Sequence, residues 1–162
     1  MTNKGKRLFL IDGHGLAYRS YFAFIRNPLV NSKGENTSAV FGFSSAVLRI
    51  IREQKPDYLA VVFDTAKPTF RHQIYPEYKS TRVKMPDEMR DQMPRIRQVI
   101  SAMNIPMLEQ EGFEADDVMG TLAKKAASQG LEVVLVSGDK DLLQLVSERI
   151  KVLNPRRGNE DI

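Results

Sequence analysis

The sequence predicts an α/β fold, a three-layer sandwich in which helices cover both faces of a mainly parallel five-stranded sheet. Three observations predict it. Apolar runs of strand length stand at 8–11, 58–63, 105–108, 131–136 and 150–153, and the first two lack polar alternation, as expected of strands covered on both faces. Longer amphipathic segments separate the runs, which is the pattern of right-handed βα crossovers. No repeat, low-complexity tract or Ser/Gly linker interrupts the 162 residues, so one domain is expected.

The first run leads through Asp12, Gly13, His14 and Gly15 into a helix to about Phe24. Val40, Phe41, Ala46, Val47, Ile50 and Ile51 recur at helical spacing and predict a helix over 38–54, stopped by Pro56. Residues 65–86 are basic, aromatic and broken by Pro68 and Pro76; without a clean period they read as a functional loop or arch. A helix over 87–103 starts after Pro86, and the short run at 105–108 has a proline suited to a strand start. A helix over 114–129 closes at Gly130, and a short helix over 139–146 precedes the last strand.

Composition excludes several classes. With no cysteine, neither a disulfide framework nor a thiolate zinc site is available, and a cytoplasmic location is expected. The basic start is followed by an apolar run that ends at Asp12, so no secretory leader is expected. No stretch approaches the roughly 20 apolar residues of a membrane span.

Acids recur where strands end. Asp12 follows the first run, Asp64 the second, Glu114, Asp116 and Asp117 open the helix after the third, and Asp139 and Asp141 follow the fourth. In open α/β sheets that edge is where ligands bind. Each acid alone is equally explained as a helix cap, since Asp at an N-cap contributes about 1 kcal/mol. The set is harder to explain so, because converging like charges raise one another's pKa unless cations neutralise them. An all-oxygen donor set with just two histidines, His14 and His72, points to Mg²⁺ or Mn²⁺. Two such ions about 3.5–4 Å apart suit in-line attack of water on a phosphodiester. Of 20 acidic residues these seven leave 13 against 24 basic ones, so the rest of the chain attracts polyanions.

The segment AKPTFRHQIYPEYKSTRVKM (66–85) carries Lys67, Arg71, Lys79, Arg82 and Lys84 with Phe70, Tyr75 and Tyr78 interleaved. Cations grip phosphate and aromatic faces stack on unpaired bases, although a solvated loop has the same composition. If 77–84 is helical, Lys79 and Arg82 reach one phosphate. Arg19, about two turns beyond Asp12, points back toward the acidic edge or makes an ordinary ion pair; His14 reads as structural.

The segments LIDGHGLAYR (10–19), VFD (62–64), FRHQIYPEYKSTR (70–82), GFEADD (112–117) and SGDKD (137–141) together resemble the 5′ nuclease domain of bacterial DNA polymerases I, a family related to flap endonucleases and to the PIN-like, resolvase-like fold. The resemblance covers the whole chain. It implies that Asp12, Asp64, Glu114, Asp116, Asp117, Asp139 and Asp141 are metal-site carboxylates. It also implies that Tyr78, Lys79 and Arg82 belong to a basic helical arch, with Lys79 and Arg82 meeting the scissile phosphate, and that Arg19 and Arg71 hold the 5′ strand. The implied activity is two-metal 5′-3′ exonuclease and flap endonuclease cleavage of 5′ flaps, nicked ends and RNA primers in replication and repair, by a monomer. Such domains continue into a helix–three-turn–helix that binds duplex DNA and adds aspartates for the second metal. Nothing like it precedes Ile162, so residues 1–162 are expected to be an N-terminal catalytic portion with a C-terminal continuation and a polymerase beyond. The competing expectation is a fragment that binds DNA and metal without cutting. A phosphoacceptor signalling domain also gathers acids around Mg²⁺, but it wants paired acids after the first strand and a lysine after the last, and IDGH (11–14) and LNP (153–155) offer neither.

Overall fold

In chain order the elements are β1 (Arg7–Asp12), α1 (Gly13–Ala23), α2 (Ser38–Gln54), β2 (Tyr58–Val62), α3 (Phe70–Ile74), α4 (Asp87–Arg90), α5 (Met93–Ala102), β3 (Met107–Leu108), α6 (Ala115–Ser128), β4 (Glu132–Val136), a 3₁₀ helix (Lys140–Leu145) and β5 (Ile150–Leu153). The structure, a computed structural model, describes residues 5–155; the loop expected beyond Pro155 lies outside the described residues. The sheet order is β3-β2-β1-β4-β5, and every pairing is parallel.

β1 takes the centre because it is apolar on both faces. Phe9 and Ile11 enter a core shared with α1, α2 and α5, whereas Leu10 enters a second core under α6 and the 3₁₀ helix. That period-two division makes the three layers. The register brings the carboxyl ends level: Asp12 lies beside Val62, Val62 beside Leu108, and Ile11 beside Val136. Between β1 and β4 the strand order reverses, and the diverging connections open a crevice at that edge.

Helix α2 occupies its expected span, but its inner face is Ala39, Phe43, Ala46, Val47 and Ile50. Phe41 is 53% exposed and meets the edge of Phe24, and Ile51 is 38% exposed. At its N-terminus Thr37 makes no side-chain cap, and the Asn36 Oδ1 takes only the first amide, accepting from Ser38 at 3.0 Å. Buried Gln92 substitutes, its Oε1 accepting from the amides of Ala39 at 2.9 Å and Val40 at 3.2 Å. The helix expected over 87–103 is broken between α4 and α5, because Pro94 has no N–H for the carbonyl of Arg90. The segment expected as a helix over 139–146 winds as a 3₁₀ helix that buries Leu142.

Helices α1 and α2 touch closely at Gly42, where a Cβ would stand 2.7 Å from Ser20 Cβ and 3.1 Å from its Cα. Backbone on the opposing side cannot yield like a side chain. Gly42→Ala is therefore expected to destabilise the fold by about 1–3 kcal/mol in urea unfolding. An unchanged midpoint would show that the two helices separate freely.

Candidate active site at the carboxyl edge of the sheet

Asp12 ends β1 and caps α1. Its Oδ1 accepts from the Gly15 amide at 3.0 Å and its Oδ2 from the Ser137 hydroxyl at 3.1 Å. Gly15 is required there, since a Cβ would collide with that carboxylate. Asp64 follows β2 by two residues and holds α6 through the Ala115 amide, which donates to its Oδ1 at 2.7 Å. Asp139 caps the 3₁₀ helix by accepting from the Asp141 amide at 2.9 Å. Glu114 caps α6 in a reciprocal box with Asp117, whose Oδ2 accepts from the Glu114 amide at 3.0 Å. Capping thus operates after four of the five strands, and it is also what brings the acids together.

Asp12, Asp64, Glu114, Asp116 and Asp139 line one cleft of about 640 Å³, facing Arg19, Lys79 and Arg82. Burial, with Asp12, Asp139 and Asp64 as like charges, pushes the Asp116 carboxyl up to about 7. Burial also raises Asp12, against the hydrogen bonds from Gly15 and Ser137. Asp117 and Asp141 line a neighbouring recess with Arg71 and Tyr78. Arg71 forks onto Asp117 at 2.7 and 2.8 Å and reaches Glu114 at 3.0 Å. The guanidinium holds the Asp117 carboxyl below its ordinary value. Lys79 Nζ lies 2.7 Å from Glu114 Oε1; burial opposes its charge, but Glu114 outweighs burial and raises its pKa.

Other predicted residues stand apart. Lys67 pairs with Glu111 at 2.7 Å in solvent. Phe70 packs on Phe113, with ring centroids 5.6 Å apart. Tyr75 is exposed with its hydroxyl 3.4 Å from Glu77, and Lys84 is exposed. The basic segment is helical only in α3. The 77–84 portion, left open as a helix from sequence, is instead largely a chain of turns, in which Lys79 adopts a left-handed φ of 56°.

Four lining or supporting residues escaped the sequence reading. His14 Nδ1 accepts from the Asp64 amide at 3.3 Å, its ring meets the edge of Phe63, and burial lowers its pKa, so its proton sits on Nε2. Buried Ser137 donates to Asp12 and accepts from the Asp139 amide at 3.1 Å, linking two acids. Tyr18 and Phe22, four apart on α1, stack at 6.2 Å beside the cleft. The i, i+4 spacing of those two rings is visible in sequence; the ties of His14 and Ser137 are long-range and are not.

The donor chemistry is that of a hard divalent cation, oxygen from several chain segments with excess negative charge. Among the described residues, however, no three histidine, aspartate or glutamate side chains already stand around one point. Their oxygens are engaged by amides, by Ser137 and by Arg71 and Lys79. Asp12, Asp64, Asp116 and Asp139 fit such an ion by their oxygen donors and by lining one cleft.

The family described as 5′-3′ exonuclease, N-terminal resolvase-like domain, matches residues 7–162. The chain belongs to this family. Relatives include DNA polymerase I of Chloroflexus aurantiacus, 46% identical over 96% of this chain and 17% of that protein. DNA polymerase I of Bacillus subtilis is 46% identical over 100% of this chain and 18% of its own length. A 5′-3′ exonuclease of Aquifex aeolicus is 45% identical over 93% of this chain and 51% of its length. The chain thus spans under a fifth of those polymerases and about half of that exonuclease. Among solved structures, T5 5′-exonuclease with bound zinc superposes with a TM-score of 0.71 at 17% identity, covering 97% of this chain and 58% of that one. Flap endonuclease-1 of Methanococcus jannaschii gives 0.56 at 23% identity, covering 92% and 53%. These structural matches establish the shared fold.

The raised Asp116 carboxyl has a measurable consequence. Folding stabilises its proton, so the folded state binds more protons than the unfolded state between the ordinary value of 3.8 and about 7. Stability in the absence of metal therefore falls as pH rises through that window. Because Asp116 is partly solvated, the loss is discounted to the order of 1–2 kcal/mol. His14, lowered by burial, tilts the curve the other way below 6.5, so the comparison is with Asp116→Asn, which keeps His14. Thermal melts in EDTA from pH 5 to 7 should show a downward slope relative to Asp116→Asn. Parallel curves would remove the carboxylate repulsion from the account.

Proposed function

We propose that this domain hydrolyses DNA phosphodiesters as a metal-dependent 5′-3′ exonuclease and flap endonuclease. The observation that carries the reading is the convergence of five carboxylates from four strand ends on one cleft that Lys79 and Arg82 also face. Asp12, Asp64, Asp116 and Asp139 would hold the ion, with Glu114 released to join them once Lys79 leaves it. Mg²⁺ or Mn²⁺ bound there supplies an activated water and a positive charge for the leaving oxygen; two ions are expected in the complete domain. The zinc-bound T5 5′-exonuclease supports a divalent ion.

The chain's own residues do the rest. Lys79 and Arg82 neutralise the phosphate as it gains charge. Arg19 grips the adjoining phosphate, and the stacked Tyr18 and Phe22 offer an aromatic face to an unpaired base. His14 and Ser137 hold Asp64 and Asp12 in place. The substrates proposed are 5′ flaps, nicked ends and RNA primers, acted on by a monomer whose residues 1–162 are the N-terminal portion of a longer cytoplasmic polymerase I-like protein. No helix among the described residues is long and apolar enough to cross a membrane.

A second reading is supported by the chain's spanning only 51% of the exonuclease and 17% and 18% of the polymerases it resembles: this portion alone binds DNA and metal without cutting. A labelled 5′-flap substrate with Mn²⁺ separates the two, since product means a complete enzyme and retarded intact DNA means a binding module. In a full-length protein, Asp12→Ala or Asp116→Ala should abolish Mg²⁺-dependent cleavage while DNA still binds; near-normal cleavage by either defeats the assignment. Lys79→Ala should lower kcat by about 10²–10³-fold with a smaller effect on binding. An effect confined to affinity reduces Lys79 to a grip.

A further inference from the structure

None of residues 70–88 is fully buried, and the basic segment that carries Lys79 and Arg82 reaches the core through partly buried Met85, beyond both cations. Ile74 and Val83 lie 79% and 93% exposed. Its far end is secured by buried Met89 and by Gln92, whose Nε2 donates to the Glu88 carbonyl at 3.0 Å. Its near end depends on polar contacts. The Phe70 amide donates to the Gly112 carbonyl at 2.8 Å, the Phe70 ring packs on Phe113, and the Arg71 guanidinium lies 4.5 Å over the Phe70 ring. From there Arg71 forks onto Asp117 and touches Glu114.

Both oxygens of Asp117 are engaged by these contacts. Its Oδ1 accepts from Arg71, and its Oδ2 accepts from both Arg71 and the Glu114 amide. Asp117 lines the recess it shares with Arg71 and Tyr78, and it is not among the residues that line the cleft of Asp12, Asp64, Asp116 and Asp139. A planar fork on a carboxylate fixes direction as well as distance, which a single lysine contact does not. Arg71 is also only eight positions before Lys79, so its aim sets where the lysine can go.

We propose that Arg71 and Asp117 form the foot of the basic segment, a positioning pair that aims Lys79 and Arg82 at the cleft, and that Asp117 serves this pair in place of a metal. The proposal rests on the nuclease reading above for what Lys79 and Arg82 act upon. It departs from the family resemblance, which would put Asp117 at the metal and Arg71 on the 5′ strand.

The test uses the full-length protein carrying Asp117→Asn, Arg71→Gln, both together, or Arg71→Lys. Trypsin nicking after Lys79, Arg82 and Lys84 without metal reports the segment, Mn²⁺ titration followed by electron paramagnetic resonance reports the metal site, and flap cleavage is resolved into kcat and KM. Each of the first two variants should speed nicking about tenfold, the double variant no more than either single one, and Arg71→Lys by an intermediate factor. Mn²⁺ affinity should stay within about threefold of wild type, and kcat at saturating metal should fall about tenfold or more, by analogy with the loss of one phosphate donor. Weakening of Mn²⁺ binding by tenfold or more with unchanged nicking would make Asp117 a ligand and overturn the proposal, as would additive effects of the two substitutions. If the unsubstituted protein cuts no flap while the nicking pattern holds, the nuclease reading fails and the foot stands.

Discussion

Like charges held together at one edge of the sheet are the constraint on which the remaining structure depends. Parallel pairing with level ends places Asp12 beside Val62 and the β4 end beside β1, so the residues that follow these strands cannot avoid one another. The result is an Asp116 carboxyl that, with burial as the larger cause, ordinary solution conditions only partly ionise. Every neighbouring feature can be understood as compensation. The helix-start amides of Gly15, Ala115 and Asp141 donate to three of the acids, Ser137 bridges to Asp12, and the cations of the basic segment settle on Glu114 and Asp117. Burial of Ser137 strengthens that bridge by keeping water from competing for it.

Helix capping and cation holding are therefore not rival explanations of an acid at a strand end. A carboxylate has two oxygens and about four lone-pair directions. The cap takes one and fixes the side chain's rotamer, leaving others to face the crevice. Asp12 and Asp139 follow this division, each using one oxygen on an amide two or three residues ahead. Asp117 does not, because an arginine fork fills what the amide leaves. The difference between a cleft acid and a foot acid is thus the partner opposite it.

That difference also explains how much was legible in the sequence. Strand positions, the span of α2 and the five cleft acids follow from local pattern, because apolar runs and the turn after each run are local properties. Which way Asp117 and Asp141 face is set by Arg71, 46 residues earlier, and by the 3₁₀ winding after Asp139, and neither leaves a periodic trace. The same holds for His14, whose role comes from an amide 50 residues away. The split between α4 and α5 was available from Pro94 alone, since a proline inside a helical pattern removes a bond one turn back. The exposed Phe41 and Ile51 show the limit of counting apolar residues without knowing which stripe meets the sheet.

On the proposed function, substrate and metal would act by exchange and not by simple addition. Lys79 is bound to Glu114 at 2.7 Å, and both side chains are mostly shielded from water, so each stabilises a charge the other would otherwise leave exposed in a weakly screened site. Under the proposed nuclease reading, a divalent cation held beside Glu114 would supply that carboxylate with a stronger counter-charge and would repel the ammonium. The lysine is released only as a new anion becomes available, and a phosphate in the cleft is such an anion. The bidentate grip of Arg71 on Asp117 is less exchangeable, because two parallel bonds must break at once. A segment with one exchangeable cation and one fixed fork can change partners at its middle without losing its place at its foot.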